Sequence, residues 1–487
     1  MKRALPLFII LIIFTGLRIY KIDSKNLWFD EIYSWNISQG SEIQIISETS
    51  GDIHPPLFYT ALKYWNYLFN DSIISMRLLS VIFALGGLFF FYRILKLFKI
   101  NNLTIVITLL LFSVSPLNIY YSQEVRMLNL NMFLCLGSVY YFYALLFLKE
   151  RYSGLKYFLF TILAFYTHYF SILIFISQIA AAFIFYMTHN AAKQEFKKFI
   201  FYSAGAFVMF IPWLPVFLRQ ITKGQPWRTQ LTLFDAGKNI LEYFKDVFLS
   251  PYYTYETMTT GYFTGFISVL TAILIFYAII RLWNSGKLFS VKEFSIVTFV
   301  IIPITAAYFI SLNQSIILSR YLSIIVPYLL ASIVLLSFQV LNKRIAAAVC
   351  ILYFISSIAG VRIYFSNNFK NNDYRKIISY IEENYNPGDR IITEPHFMGW
   401  SIKYHVLHEK SQLSKPEILG WNMKMQVDSL SERNDLDKIW FITDYSSLDK
   451  SGYDSLKSEM HRIGYKYKMS KTFYVVPSKV RVDYFVK

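Results

Sequence analysis

The sequence predicts a polytopic α-helical membrane protein, with about eleven transmembrane helices over residues 1–365 and an extracytoplasmic α/β domain over residues 366–487. Three observations predict it. Of 487 residues, 55% are hydrophobic and only 16% charged, where a soluble protein carries about a quarter charged residues. The charge is segregated: residues 366–487 hold 35 of the 79 charged side chains, about 29% of that segment against about 12% of the rest. The earlier part also breaks into apolar runs of crossing length, about 20 residues, since only a helix satisfies its own backbone in hydrocarbon.

Taken in order, nine runs qualify: Ala4 to Leu17, Leu78 to Tyr92 with its flanks, Leu103 to Leu117, Leu128 to Leu148, Phe199 to Phe217, Tyr262 to Ile280, Phe294 to Leu312, Tyr321 to Leu341 and Ile345 to Val361. The stretch from Tyr157 to Ala192 holds no Asp, Glu, Lys or Arg. As one helix its apolar part, to Met187, would be roughly 46 Å long, too long for a single span of about 30 Å. Both flanks are basic, Lys149, Arg151 and Lys156 before and Lys193, Lys197 and Lys198 after, so both ends lie in the cytoplasm. The stretch is therefore a hairpin turning near His168, and the spans number eleven.

With a cytoplasmic N-terminus, the inner ends also collect Lys2, Arg3, Arg93, Lys96, Lys99, Arg281, Lys287, Lys292, Lys343 and Arg344, while the short outer loops offer little beyond Arg320. This puts loops 21–77 and 218–261 outside with the C-terminal domain, in a cell (plasma or inner) membrane. Of the net charge of +17, +14 belongs to residues 1–365. The excess reports topology, and a nucleic-acid partner is not needed to explain it. The first run lacks an Ala-x-Ala cleavage site and is expected to stay as an anchor. Cys135 and Cys350 each lie inside an apolar run and build neither a disulfide framework nor a cysteine metal site.

In the C-terminal segment, Tyr374, Ile377, Ile378 and Ile381 share one helical face over Asp373 to Tyr385. An Asn386-Pro387-Gly388 turn follows, then strand patterns at Arg390 to Thr393, Ile439 to Thr443 and Phe473 to Val476. This alternation predicts a small α/β domain.

Of the fifteen Asp and Glu before residue 366, only Glu150, Glu195 and Glu293 face the cytoplasm on this topology. Acid–base chemistry is therefore expected at the outer surface. The first outer loop sets Asp30 and Glu31 among Trp28, Phe29, Tyr33 and Trp35. Adjacent helical residues point about 100° apart, so one acid is expected to act while the other pairs or caps, against the plainer reading of a solvated helix start. His54 precedes Pro55 and Pro56, which fix the backbone at a helix start, and it is placed to donate to an anion or is an ordinary loop residue. The next outer loop, from Ser115, carries Glu124 and Arg126 at the start of a span. Such ionisable groups mark a functional site or a structural salt bridge.

Together the motifs Leu27-Trp28-Phe29-Asp30-Glu31, His54-Pro55-Pro56-Leu57-Phe58-Tyr59, Arg77-Leu78, Tyr121-Ser122-Gln123-Glu124-Val125-Arg126-Met127, Thr167-His168-Tyr169-Phe170 and Ser319-Arg320-Tyr321 form a pattern. It resembles the polytopic C-class (GT-C) glycosyltransferases, in the branch of the dolichyl-phosphate-mannose protein mannosyltransferases and the lipid A aminoarabinose transferase. The resemblance covers residues 1 to about 390. It implies a polyprenyl-phosphate-linked sugar donor, held in membrane lipid, and transfer with inversion to a protein, lipid or glycan acceptor on the outer face. By the same resemblance Asp30 is the catalytic base, with Glu31 and Glu124 in support. His54 stands where the aminoarabinose branch has a donor-phosphate lysine, and another such lysine lies near His168, so a histidine contact is expected to depend on pH. Arg126 and Arg320 join the expected phosphate site, an arginine gripping phosphate bidentately, with headgroup anchoring as the other reading of Arg320. Trp28, Tyr33, Tyr59, Tyr121, Tyr169 and Tyr321 are expected to hold sugar and lipid. No cofactor is expected. A divalent cation, Mg or Mn, held by Asp30 and Glu124 stays open because relatives differ. Readings of another class are a lipid-linked glycan transporter or flippase, which nearly charge-free inner spans disfavour, and a non-catalytic envelope scaffold.

Overall fold

The computed structural model describes residues 5–148, 150–188, 193–223, 230–249, 258–286, 297–366, 374–395, 398–408, 411–413, 415–417, 423–431, 433, 436–444, 450–475 and 478–487. Of the residues singled out from the sequence, Lys2, Arg3, Ala4, Lys149, Ala192, Lys287, Lys292, Glu293, Phe294, Asp373 and Val476 lie outside this set. Chain packing separates two units. The first comprises Met1–Tyr20, Gly40–Leu68 and Met76–Asn367, the second Lys21–Gln39, Phe69–Ser75 and Asn368–Lys487. Residues 21–39 and 69–75 of the stretch read as the first outer loop thus belong with the C-terminal segment.

The helices up to residue 366 are α1 (Leu5–Ile19), α2 (Phe29–Ser38), α3 (Glu42–Gly51), α4 (Leu57–Phe69), α5 (Ile73–Leu97), α6 (Asn102–Val114), α7 (Pro116–Ser122), α8 (Leu128–Tyr143), α9 (Ser153–Phe165), α10 (Ser171–Thr188), α11 (Lys193–Phe210), α12 (Leu214–Lys223), α13 (Leu233–Leu249), α14 (Met258–Asn284), α15 (Ile302–Ser311), α16 (Val326–Val340) and α17 (Lys343–Ser366). Among the described residues, five helical stretches are long and apolar enough to cross a membrane: Ile73–Leu97, Leu128–Leu148, Lys193–Lys223, Tyr321–Val340 and Lys343–Ser366. The bent pair α6 and α7 passes the same test as one span, and Leu5–Ile19, Ser153–Phe165, Ser171–Met187, Gly265–Arg281 and Thr298–Ser311 are shorter apolar helices. These eleven segments fall where the apolar runs lie, and the charge-free stretch breaks between Phe165 and Ser171 into two helices that touch each other.

One run departs from expectation. Leu103 to Leu117 is not continuous: α7 leaves α6 at 56°. The cause is local, because Ser115 is extended and Pro116, lacking an N–H, starts a new helix at its first position. The stretch read as a second outer loop therefore begins as a helix, buried at every position from Pro116 to Ser122. Amphipathic α13 lies on α7, α14 and α17. Gly360 of α17 permits this seat, since a Cβ there would stand 2.8 Å from the Leu249 backbone and 2.6 Å from Pro116. Ser115 Oγ donates to the Val247 carbonyl at 2.8 Å and closes the same junction.

In the second unit, α18 (Arg375–Glu382), β1 (Arg390–Glu394), α19 (Met398–His408), α20 (Met423–Ser431), β2 (Lys438–Asp444), α21 (Lys450–Arg462), β3 (Lys466–Val475) and β4 (Ser478–Val486) form a sheet of order β1-β2-β4-β3 with helices on it. Strands β1 and β2 are parallel, whereas β4 is antiparallel to both β2 and β3. Alternate residues of β2 point to opposite faces. Trp440 and Ile442 pack with Ile377, Ile381 and Ile402, while Ile439 and Phe441 pack with Leu430, Leu456 and Met460. The sheet is thus covered on both sides, as a parallel pair requires. Of the expected strand at Phe473 to Val476, residues 473–475 are the end of a longer β3 paired with β4, and Val476 lies outside the described residues. The mostly exposed β3 places Lys466, Lys468 and Lys471 on the sheet edge, a composition that discourages edge-to-edge pairing.

Candidate functional site

The cationic residues expected to meet a phosphate gather in the first unit. The His-Pro-Pro turn is pinned to the end of α9, where the Leu57 N–H donates to the Tyr166 carbonyl at 3.1 Å. This sets the His54 ring 5.2 Å from that of His168, which sits in the turn between α9 and α10. Tyr321 lies 5.2 Å from His168 on another side and 4.9 Å from Phe170, and the Arg320 guanidinium is 5.2 Å from the Tyr321 ring centre. His54, His168, Arg126 and Tyr321 are all buried.

His168 carries the electrostatics of this cluster. Burial, with the charges of Arg126 and Arg320, moves its pKa down to about 3. The ring is therefore neutral at physiological pH, where the sequence led us to expect a titrating contact. Its Nδ1 accepts the Phe170 N–H at 3.2 Å, so the ring proton resides on Nε2. That buried Nε2 has no hydrogen-bond partner among the described residues. A buried donor left unmet costs about 1–3 kcal/mol, a cost an incoming anionic oxygen would relieve.

Around this cluster the sequence motifs are held by polar contacts. Glu124 is buried at the junction of α7 and α8, and its carbonyl accepts the Ser80 hydroxyl at 2.6 Å and the Arg126 N–H at 2.9 Å. Gln123 beside it donates to the Arg18 and Tyr20 carbonyls and accepts from Tyr364, tying the end of α1 to α17. Tyr59 and Tyr121 are buried. The Tyr169 hydroxyl donates to Gln220 and accepts from Trp213, so it braces the turn against α12.

Asp30 belongs to the second unit, at the first turn of α2, and is half-buried. Glu31 is buried and turns back to accept the Trp28 N–H at 3.2 Å, so the two adjacent acids differ: Glu31 caps the helix. Phe29 and Tyr33, one turn apart, meet Trp400 of α19, whose indole stacks on Phe29 at 6.3 Å. Trp35 donates to Asp71 at 2.7 Å, and the other Asp71 oxygen lies 2.9 Å from His408 Nε2. The His408 hydrogen bond holds the Asp71 carboxyl below its usual range. Among the described residues no three or more His, Cys, Asp or Glu gather as a metal site; Asp30 and Glu124 belong to different units.

Sequence reasoning missed Trp400, Asp71 and His408, which carry no local signal, and Asp246 of α13, a buried acid that accepts the Ser319 hydroxyl.

Residues 53–218 match the family model described as dolichyl-phosphate-mannose-protein mannosyltransferase. That segment contains His54, Glu124, Arg126 and His168 and leaves out Asp30 and Arg320. No curated protein matches the chain by sequence. Among solved structures, ArnT from Cupriavidus metallidurans in the apo state covers 99% of this chain and 97% of its own, at 11% identity and a TM-score of 0.51. The same figures hold for ArnT bound to undecaprenyl phosphate. An Archaeoglobus fulgidus oligosaccharyltransferase tethered with an acceptor peptide gives a TM-score of 0.47 at 10% identity, over 85% of this chain and 64% of that one. With five apolar helices of crossing length among the described residues and a likeness to ArnT over nearly the whole of both chains, the chain has the multi-pass membrane fold of the C-class glycosyltransferases.

Proposed function

We propose that this protein moves a sugar from a polyprenyl-phosphate-linked donor to an acceptor on the outer face of the membrane. The observation that carries the reading is the cluster of buried His54, His168 and Arg126 with half-buried Arg320, and an unmet Nε2–H at His168. A cluster of guanidinium groups and a neutral imidazole donor suits an anion with several oxygens. The family match of residues 53–218 and the ArnT-like fold, with one such structure bound to undecaprenyl phosphate, support a lipid phosphate as that anion.

The acceptor oxygen or nitrogen attacks the anomeric carbon. As that bond forms, the carbon–oxygen bond to phosphate breaks and its electron pair leaves with the phosphate, which gains negative charge. Arg126 and Arg320 offset this charge, and His168 donates a hydrogen bond to one oxygen, so the reading asks for no metal. The acceptor proton goes to Asp30, and a single displacement inverts the anomeric configuration. Glu31 keeps the helix start that presents Asp30. Orientation follows the basic inner ends, with the N-terminus in the cytoplasm and the C-terminal segment outside.

The test is transfer by purified protein in nanodiscs supplied with polyprenyl-phosphate sugars, the sugar and acceptor first narrowed by mass spectrometry of cell-envelope glycans with and without the protein. Asp30→Asn is expected to lower the rate by about 10²- to 10⁴-fold while leaving polyprenyl-phosphate affinity in place. Transfer at the wild-type rate would refute the assignment of the base.

A further inference from the structure

We infer that Asp246, acting through Ser319, is the positioning residue for Arg320. The role rests on Arg320 meeting the donor phosphate. Ser319-Arg320-Tyr321 follows α15 through an irregular stretch, in which the Ser311 hydroxyl accepts the Ile316 and Ile317 N–H groups at 3.0 and 3.1 Å. Three contacts then fix the tripeptide. The Ser319 hydroxyl donates to Asp246 Oδ2, the Ser323 hydroxyl donates to the Arg320 carbonyl at 2.7 Å, and Tyr321 packs against His168 and Phe170. The guanidinium lies over the Tyr321 ring, within cation–π range. A long, rotamer-rich side chain is thereby set on a backbone held at three points, which reduces the ordering cost when phosphate binds.

Asp246 is suited to this task because its own helix is held by close contacts. The end of α13 is closed against Ser115, Gly360 and the Tyr353 ring, which lies 4.3 Å from that of Phe248. The carboxylate is buried, with Lys245 3.4 Å from Oδ1 as its ion pair. Lys245 also pairs with Glu242 on the same helix. Burial pushes the Asp246 carboxyl up to about 6, so an ionised acid is kept here at a cost in stability.

The experiment measures binding of undecaprenyl phosphate to the full chain in nanodiscs. Arg320→Ala is expected to bind about 10- to 100-fold more weakly. Ser319→Ala and Asp246→Ala are each expected to lose about three- to tenfold. Their combination should lose no more than either alone, and Asp246→Asn, which keeps an oxygen for the Ser319 hydroxyl, should stay within about twofold of wild type. In an Arg320→Ala background Ser319→Ala should cost nothing further, a coupling that general loosening of the fold would not produce. Wild-type binding by Arg320→Ala sinks the phosphate reading itself. A loss for Arg320→Ala together with full affinity for Ser319→Ala, or additive losses for those two, leaves the phosphate reading standing and overturns the role given to Asp246.

Discussion

Replacing Asp246 by Asn should make the protein more stable at neutral pH, by an amount the structure sets. Burial, partly offset by Lys245 and the Ser319 hydroxyl, raises this carboxyl from 3.8 to about 6. A shift of about two units corresponds to about 3 kcal/mol of differential stability between the protonation states. For a carboxyl whose folded pKa is raised, the folded state prefers the protonated form. In the wild type the penalty is therefore absent below about pH 4, grows between about 4 and 6, and is complete above about 7. Asn keeps an oxygen for Ser319 and carries no charge to desolvate. Thermal unfolding of both proteins in nanodiscs, scanned at one rate because membrane proteins unfold irreversibly, should show the Asp246→Asn variant melting higher at pH 8, with the gap closing toward pH 4.5. Equal melting temperatures at pH 8, or a gap that persists unchanged at pH 4.5, would refute the reasoning, because either result means the carboxylate is not buried at a cost.

Other outcomes are expected from the same geometry. Because the His168 ring is held down to about 3, its ¹⁵N resonances should show a neutral Nε2–H tautomer without titration from pH 8 to pH 5, and added polyprenyl phosphate should raise that pKa; an imidazolium at pH 6 in the ligand-free protein would contradict the site. Gly360→Ala places a Cβ 2.8 Å from the Leu249 backbone, so a loss of about 1–3 kcal/mol is expected, read as a lower melting temperature, with normal melting arguing against the tight seat of α13. Asp71 is held ionised by His408 and Trp35. A depressed carboxyl contributes stability above its unfolded pKa and loses it as pH falls through the lowered value, so Asp71→Asn should destabilise at pH 7 and converge on wild type as the pH falls below the ordinary carboxylate range; proteolysis of the C-terminal segment across that range checks this.

The membrane part was legible because hydrocarbon leaves the backbone few choices. Apolar runs had to be helices, and basic flanks on both sides of Tyr157 to Ala192 forced the turn that places His168 beside His54. The break at Pro116 carried its own signal in the Ser-Pro pair, but the continuous apolar run outweighed it. The edge strand β3 was harder: its exposed lysines erase the alternation by which a half-buried strand is read. The site divided along the same line. Arg126 and Arg320 stood out as ionisable groups beside spans, His54 and His168 through the motifs they sit in, and the fold brought them together.

Asp246 had no such visibility. In sequence it is one acid in Glu242-Tyr243-Phe244-Lys245-Asp246, an amphipathic pattern that reads as a solvated face, and nothing nearby says that the face is buried. Its burial is decided by partners far along the chain, Ser115 and Pro116 on one side and Gly360 on the other. The break that Pro116 makes is therefore part of the site's construction. By ending α6 and starting α7 there, it creates the shelf on which the end of α13 closes, and that closure holds the carboxylate at Ser319. A local feature of one residue, the missing N–H of a proline, thus reaches Arg320 through a chain of contacts that can each be removed singly. Loss of the Pro116 break should act on Arg320 by the same route as Ser319→Ala, whereas loss of the hydroxyl at Ser80, which bonds the Glu124 carbonyl, should not.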